Sequence, residues 1–288
     1  MFVFILLLIG IVLVAVLKKA HNNTKDIVLN RVQITEDLAN QKAPNLTILH
    51  LSDLHLEKIS ITPEELYHRL KDKHIELIAL TGDFLDREKT LLKLGPYLDV
   101  LNQLKPEYGI YAVLGNHDYL LSEKNLQILK DTLRAFNCNV LQNEHAVIHV
   151  HGTPINIIGI DDFHTRRSDI SKSYEGIEYG MNLVLTHDPN IVLHMQQHHF
   201  DYLLAGHFHG GQVCYPKAYH LARMGKLPGM NMVKGLHRQD GKPFYINEGL
   251  GQTSINLRMG SRPEITLHQL SIIAPNQKAI SSIQKTVG

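Results

Sequence analysis

Leu46-Thr47-Ile48-Leu49-His50-Leu51-Ser52 runs straight into Asp53-Leu54-His55, an apolar stretch that ends abruptly in a carboxylate and an imidazole. The same pattern recurs four more times. Leu77-Ile78-Ala79-Leu80-Thr81 leads into Gly82-Asp83-Phe84-Leu85-Asp86, and Ile110-Tyr111-Ala112-Val113-Leu114 into Gly115-Asn116-His117-Asp118. Asn182-Leu183-Val184-Leu185-Thr186 leads into His187-Asp188-Pro189, and Asp201-Tyr202-Leu203-Leu204-Ala205 into Gly206-His207-Phe208-His209-Gly210-Gly211-Gln212. Apolar runs of this length without polar alternation read as strands buried on both faces.

Between the early strands lie segments with apolar residues at three- and four-residue intervals: Pro63 to Lys71, Glu88 to Leu104 and Ser122 to Phe136. Thr62 is the expected N-cap of the first, with Pro63 at its first helical position. Strand alternating with helix predicts a layered α/β domain whose ligands gather at the carboxyl ends of the strands. From about Val140 onward the strand-like runs shorten, as in Ala146 to Val150 and Ile155 to Ile160.

Residues two apart in extended backbone point to the same side, so Asp53 with His55, and His207 with His209, are each expected to face one pocket. Carboxylate, imidazole and amide oxygen without thiolate suit Mn, Fe, Zn or a similar divalent ion. Asp83 stands as a lone carboxylate whose two oxygens can bridge two ions, and two such ions clamp a phosphoryl group. Each piece is ordinary alone: Asp-x-His arises by chance, and Gly-Asn-His-Asp is a good turn. All of them, each after a buried strand, form a metal-site pattern.

The series Asp53-x-His55, Gly82-Asp83-x-x-Asp86, Gly115-Asn116-His117-Asp118, His187 and Gly206-His207-x-His209 resembles the calcineurin-like metallophosphoesterases over roughly residues 45 to 270. The resemblance implies a four-layer α/β/β/α sandwich. It implies one metal held by Asp53, His55, Asp83 and His209, and another held by Asp83, Asn116, His187 and His207. His117 would protonate the leaving oxygen or stabilise charge, oriented by Asp118 or Asp86. Gly206 to Gln212, Tyr245 to Gly251, Arg258 and Arg262-Pro263-Glu264-Ile265 look like the membrane-associated bacterial phosphodiesterase branch. That branch includes enzymes exported by a twin-arginine signal and a lipid A pathway pyrophosphatase acting on UDP-2,3-diacylglucosamine. Phe208 departs from the threonine common at its position, and no twin arginine precedes the apolar N-terminus.

The chain has 288 residues, 29 Lys and Arg against 28 Asp and Glu, 19 His and 2 Cys. That length favours one large domain. The balanced charge gives no argument for nucleic acid as a partner, and two cysteines give no disulfide framework. Met1 to Leu17 is an unbroken apolar run closed by Lys18 and Lys19. It spans about 25 Å as a helix, and lysines stand where a signal-peptide cleavage site should be. The expected organisation is a membrane anchor over 1–19, a polar connector over 20–44 with a strand-like Ile27 to Ile34, the catalytic domain over 45–272 and a tail over 273–288. Lys18, Lys19, Lys25 and Arg31 follow the run, so the positive-inside rule predicts a single-pass protein of the inner (cell) membrane with its catalytic domain cytoplasmic.

Three further features were weighed. His194, His198 and His199 read as a solvated helix face in preference to a third metal site, and His50 as a packed residue behind a ligand. Lys217, Arg223, Lys226, Lys234 and Arg238 fall in an insertion with Leu221, Met224, Leu227, Met230 and Met232, a loop suited to a diphosphate, anionic headgroups or acyl chains. The expected function is hydrolysis of a phosphodiester or pyrophosphate with two divalent ions, Mn first and Fe, Zn or Mg behind it. The expected substrate is lipid-linked, UDP-2,3-diacylglucosamine being the specific expectation. A phosphatase of soluble nucleotides or phosphoproteins is the rival, and a non-catalytic binding protein the remote one.

Overall fold

The computed structural model describes residues 1–34, 44–214 and 216–272. The expected tail, 273–288, lies outside them. Its elements run α1 (Phe2–Asn23), β1 (Val28–Ile34), β2 (Asn45–Leu51), α2 (Pro63–Leu70), β3 (Leu77–Thr81), α3 (Leu94–Gln103) and β4 (Ile110–Val113). There follow α4 (Glu123–Ala135), β5 (Cys138–Val140), β6 (Glu144–Val150), β7 (Thr153–Gly159), α5 (Ile170–Ser173), β8 (Met181–Leu185) and β9 (Tyr202–Ala205). Last come α6 (Lys226–Gly229), β10 (Gly235–Gln239), β11 (Lys242–Ile246) and β12 (Glu264–Ser271).

Two six-stranded sheets pack face to face, ordered β1-β12-β2-β3-β4-β5 and β10-β11-β9-β8-β7-β6. In the first, β2, β3, β4 and β5 are parallel and β12 runs against β2. In the second, β7, β8, β9 and β11 are parallel, with antiparallel strands at both edges. All five ligand-bearing loops leave parallel strands at their carboxyl ends, three from one sheet and two from the other. The site therefore sits along one edge of the sandwich, where the two sheets end together.

Side-chain alternation divides the core. Leu46, Ile48, Leu77 and Ala79 join Ile155, Ile157, Leu183 and Leu185 between the sheets. Leu49, Leu51, Ile78 and Leu80 face outward under α2, α3 and α4, packing on Leu66, Leu70, Leu98, Leu129 and Leu133. A third cluster lies beneath short 3-10 turns and α6, with Phe200, Phe208, Leu221 and Leu227 at its centre. The four layers are present, but the outermost on the second sheet is built of single turns. The helix expected to carry His194, His198 and His199 is a 3-10 segment, Pro189–His194, that ends at the first of them. Thr62 caps α2 through a reciprocal capping box with Glu65, which satisfies two otherwise unpaired donors.

Helix α1 is 22 residues long and apolar enough to cross a membrane. At about 1.5 Å per residue it measures roughly 33 Å, against about 30 Å of bilayer hydrocarbon. Part of the expected connector is structural: β1 lies within 20–44 and pairs in parallel with β12. The last turn of α1 docks on the loop before β12. The Ala20 carbonyl accepts the Arg258 N–H at 2.9 Å, Asn23 donates to the Arg258 carbonyl at 2.9 Å, and Ala20 and Thr24 are buried. A chain beginning at Lys18 keeps these contacts and one beginning at Lys25 loses them. At about 1 kcal/mol per hydrogen bond, the shorter chain is expected to be about 2 kcal/mol less stable, lowering Tm by roughly 4–8 °C. Coincident melts of the two chains in one detergent would show that the docking contributes nothing.

Candidate metal centre

The structure brings the seven expected ligands together in two groups. His55 Nε2 lies 3.1 Å from His209 Nε2, and His209 Nε2 lies 3.2 Å from Asp53 Oδ1. His187 Nε2 lies 3.2 Å from Asn116 Oδ1 and 3.2 Å from His207 Nδ1. Between the groups stands Asp83, whose Oδ2 is 3.5 Å from His55 Nε2 and 3.1 Å from His187 Nε2. Metal–nitrogen bonds of about 2.0–2.1 Å put neighbouring ligand atoms roughly 3 Å apart, so each group is spaced as donors that would hold a divalent ion, with Asp83 between the two.

Asp83 thus faces both groups through a single oxygen, where the sequence suggested that each oxygen would serve one ion. The reason is local: Oδ1 accepts the His117 backbone N–H at 2.8 Å and is withdrawn from the shared space. The backbone also departs from expectation. Asp53, His55, Asp83, His207 and His209 all have positive φ, between 37° and 77°, so Asp-x-His and His-x-His are tight loops and not strands. His207 and His209 consequently point into different groups. Such strain in non-glycine residues costs of order 1–3 kcal/mol each and concentrates at functional sites.

What holds these loops is close backbone approach and buried hydrogen bonds. A Cβ on Gly115 would overlap the Asp83 carboxylate, and one on Gly206 would overlap Ser52 and Asp53. Asp118 is fully buried. It accepts the N–H groups of Asp83, Phe84 and Gly115, each at 2.9 Å, which staples the loop after β3 to the loop after β4. None of these three bonds involves the His117 side chain.

Asp86 is the carboxylate beside the His117 ring. Its Oδ1 is 2.6 Å from His55 Nδ1 and 3.0 Å from His117 Nδ1. The second contact is bent, so it is ionic more than a linear hydrogen bond. Burial works against the His117 imidazolium, but Asp86 and then Asp83 outweigh it and hold the pKa up at about 9. The His117 side chain is 26% exposed while His55 and His187 are closed off, so it faces the opening. Glu57, which sequence reading passed over, accepts the backbone N–H groups of Asp86 and Arg87 and fixes that loop.

The donor chemistry fits divalent cations. His187 Nδ1 donates to the Thr81 carbonyl at 2.7 Å and His55 Nδ1 to Asp86, the outward bonds that aim a ligating Nε2 inward. Burial and neighbouring imidazoles push His207 and His209 well below the ordinary histidine range, leaving them unprotonated. Asp53 and Asp83 are buried, and among the described residues no lysine or arginine forms an ion pair with either. Arg258, the largest fully buried side chain, spends its terminal N–H groups on the carbonyls of His209, Glu248, Gly249 and Gly251. Two carboxylates buried among imidazoles call for positive charge that side chains do not bring.

The remaining histidines fall as read from sequence. His50 is buried against Thr81 Oγ1 at 2.8 Å, and burial lowers its pKa to about 3. His194 packs on Phe163, His198 on Tyr174, and His199 lies beside Asp201. No cluster of metal-type ligands among the described residues includes them. His164, which nothing in the sequence singled out, packs its ring 5.1 Å from that of His207.

The sequence is similar to those of known proteins. The family model for calcineurin-like phosphoesterases matches residues 46–211. The metallophosphoesterase YkoQ of Bacillus subtilis is 57% identical over 94% of this chain and its own full length. Phosphodiesterase YaeI of Escherichia coli is 27% identical over 77% of this chain and 81% of its own. The UDP-2,3-diacylglucosamine pyrophosphatase LpxG of Chlamydia trachomatis is 26% identical over 77% of this chain and 82% of its own. With two groups of metal donors meeting at Asp83 and more than half of its length matched, the chain belongs to the calcineurin-like phosphoesterases, metal-dependent hydrolases of phosphoester bonds.

Proposed function

We propose that the protein is a membrane-anchored phosphodiesterase or pyrophosphatase acting on a lipid-linked substrate at the cytoplasmic surface of the cell membrane. In this reading Asp53, His55, Asp83 and His209 hold one ion and Asp83, Asn116, His187 and His207 the other, with manganese as the physiological metal. Bound divalent ions supply Lewis-acid charge to the phosphoryl oxygens. His117 gives its proton to the leaving oxygen, held in register by Asp86, and the backbone N–H of His117 keeps Asp83 turned so that Oδ2 is shared.

One observation carries the lipid-linked reading: the metal-site loop is tied to the end of the apolar helix. The backbone of Arg258 bonds α1 through Ala20 and Asn23, while its guanidinium holds the His209 carbonyl. The site thus stands at a fixed distance from where α1 would leave the bilayer. A freely diffusing nucleotide needs no such tether, whereas a lipid headgroup is found at that height. Lys18, Lys19, Lys25 and Arg31 on the domain side of α1 favour the cytoplasmic face. The name of the Chlamydia relative makes UDP-2,3-diacylglucosamine the candidate substrate to test.

The manganese-loaded, full-length protein is expected to hydrolyse bis-p-nitrophenyl phosphate and vesicle-borne UDP-2,3-diacylglucosamine at least tenfold faster than p-nitrophenyl phosphate. Preference for the monoester would favour a phosphatase of soluble substrates. Asp83→Ala is expected to drop the metal content from two ions per chain to below one by elemental analysis, and two retained ions would remove Asp83 from the shared position. His117→Ala is expected to keep both ions and lower kcat by roughly 10²–10⁴-fold; loss of metal would make His117 a ligand. Protease added outside spheroplasts is expected to leave the domain intact, and ready digestion would reverse the topology.

A further inference from the structure

Two cavities adjoin the metal centre. One, about 410 Å³, is walled by Phe208, Val213, Leu221, Met224 and Ile255 and reaches His207 and His209. The other, about 370 Å³, is of mixed lining, with Arg166, Arg223, His164 and Asn190 beside Phe163 and the buried carboxylate of Asp188. Met224 belongs to both walls. Ligating atoms of His164, Asp188 and His207 lie within 4.8 Å of one another, so the cavities meet beside the His207 ring.

Each cavity has an unmet need. Ile255 is 53% exposed, and Met224 is half-buried, packed on one side against the cluster of Phe208 and Leu221. In the second cavity the Arg166 and Arg223 guanidinium groups are exposed, and neither has an ion-pair partner among the described residues. The apolar rim also has a position: Ile255 precedes Asn256, whose carbonyl lies 3.2 Å from the His21 ring near the end of α1. The apolar cavity therefore opens at the end of the helix that meets the bilayer.

We infer that the substrate is an amphipathic phosphodiester or pyrophosphate, its apolar chain in the cavity of Phe208, Met224 and Ile255 and a second anionic group on Arg166 and Arg223. The scissile phosphorus then sits at the junction beside His207, with one substituent in each cavity. A monoester fills only one of them. Guanidinium groups pair with phosphate oxygens through two parallel hydrogen bonds, and apolar walls take up an alkyl chain as it leaves water. This inference rests on the phosphodiesterase reading above and adds the identity of both substituents.

The test uses full-length, metal-loaded protein in lipid nanodiscs and a series of p-nitrophenyl alkyl phosphodiesters from ethyl to octyl. Burial of each methylene is expected to raise kcat/KM by roughly two- to fourfold until the cavity is filled. Calorimetric titration with the matching alkyl phosphates is expected to show the same slope in Kd. Met224→Gln and Ile255→Gln are expected to flatten both slopes, while Leu92→Gln, on exposed surface elsewhere, retains them. Arg166→Ala combined with Arg223→Ala is expected to lower kcat/KM for a nucleoside diphosphate alkyl ester at least tenfold more than for the p-nitrophenyl octyl diester. A flat chain-length profile with diester turnover intact would overturn the apolar subsite and leave the phosphodiesterase reading standing, as would slopes that survive in the glutamine variants. An equal loss on both substrates in the arginine variant would overturn the anionic subsite. Turnover of p-nitrophenyl phosphate alone would overturn this inference and the phosphodiesterase reading together.

Discussion

One carboxylate oxygen organises the centre. Asp83 Oδ2 stands within 3.5 Å of an imidazole nitrogen from each donor group, and it can do so only because Oδ1 is held by the His117 N–H. Everything around that oxygen is arranged against its own local preference. Five of the seven candidate donors sit in left-handed backbone, two carboxylates are buried without a lysine or arginine ion pair among the described residues, and imidazole nitrogens approach to 3.1 Å. Such an arrangement is costly for the apoprotein and becomes favourable when divalent charge is supplied, which is how binding a metal adds to folding free energy.

The cost is borne by the sandwich. Parallel strands of both sheets, buried on both faces, deliver their loops to one edge, and the apolar layer between the sheets leaves them no freedom to slide. Asp118 then ties two loops by three backbone hydrogen bonds, Glu57 fixes the Asp86 loop, and Arg258 gathers four carbonyls under His209 and the glycines that follow β11. Arg258 also receives the last turn of α1. The apolar helix is consequently continuous in hydrogen bonding with the loop of His209, so the position of the helix and the geometry of the site share one residue.

The strand ends were legible because a buried parallel strand must be apolar throughout and its loop must be abruptly polar, a contrast that needs no alignment to see. The seven candidate donors stand at those strand ends, and the family resemblance divides them between two ions; the capped helix at Pro63 was legible from its own cap. Less was legible wherever partners are distant in sequence. Asp86 follows Asp83 and Asp118 follows Asn116 within the same motifs, and only the fold shows that one contacts His117 while the other binds backbone. The convergence of Asp53 with His55 was expected from extended geometry and arises from left-handed turns. Strand β1 was legible as the strand-like Ile27 to Ile34, but its pairing was not, because its partner β12 lies at the far end of the chain. His164, Arg166 and Glu57 carried no signal, since a single basic or acidic residue looks the same on any loop.

The most direct measurement is anomalous diffraction at the manganese edge from crystals of the manganese-loaded, full-length protein. The account predicts two peaks roughly 3.5–4 Å apart, with Asp83 Oδ2 between them, one peak surrounded by Asp53, His55 and His209 and the other by Asn116, His187 and His207. A single peak, or two peaks that do not share Asp83, would contradict it.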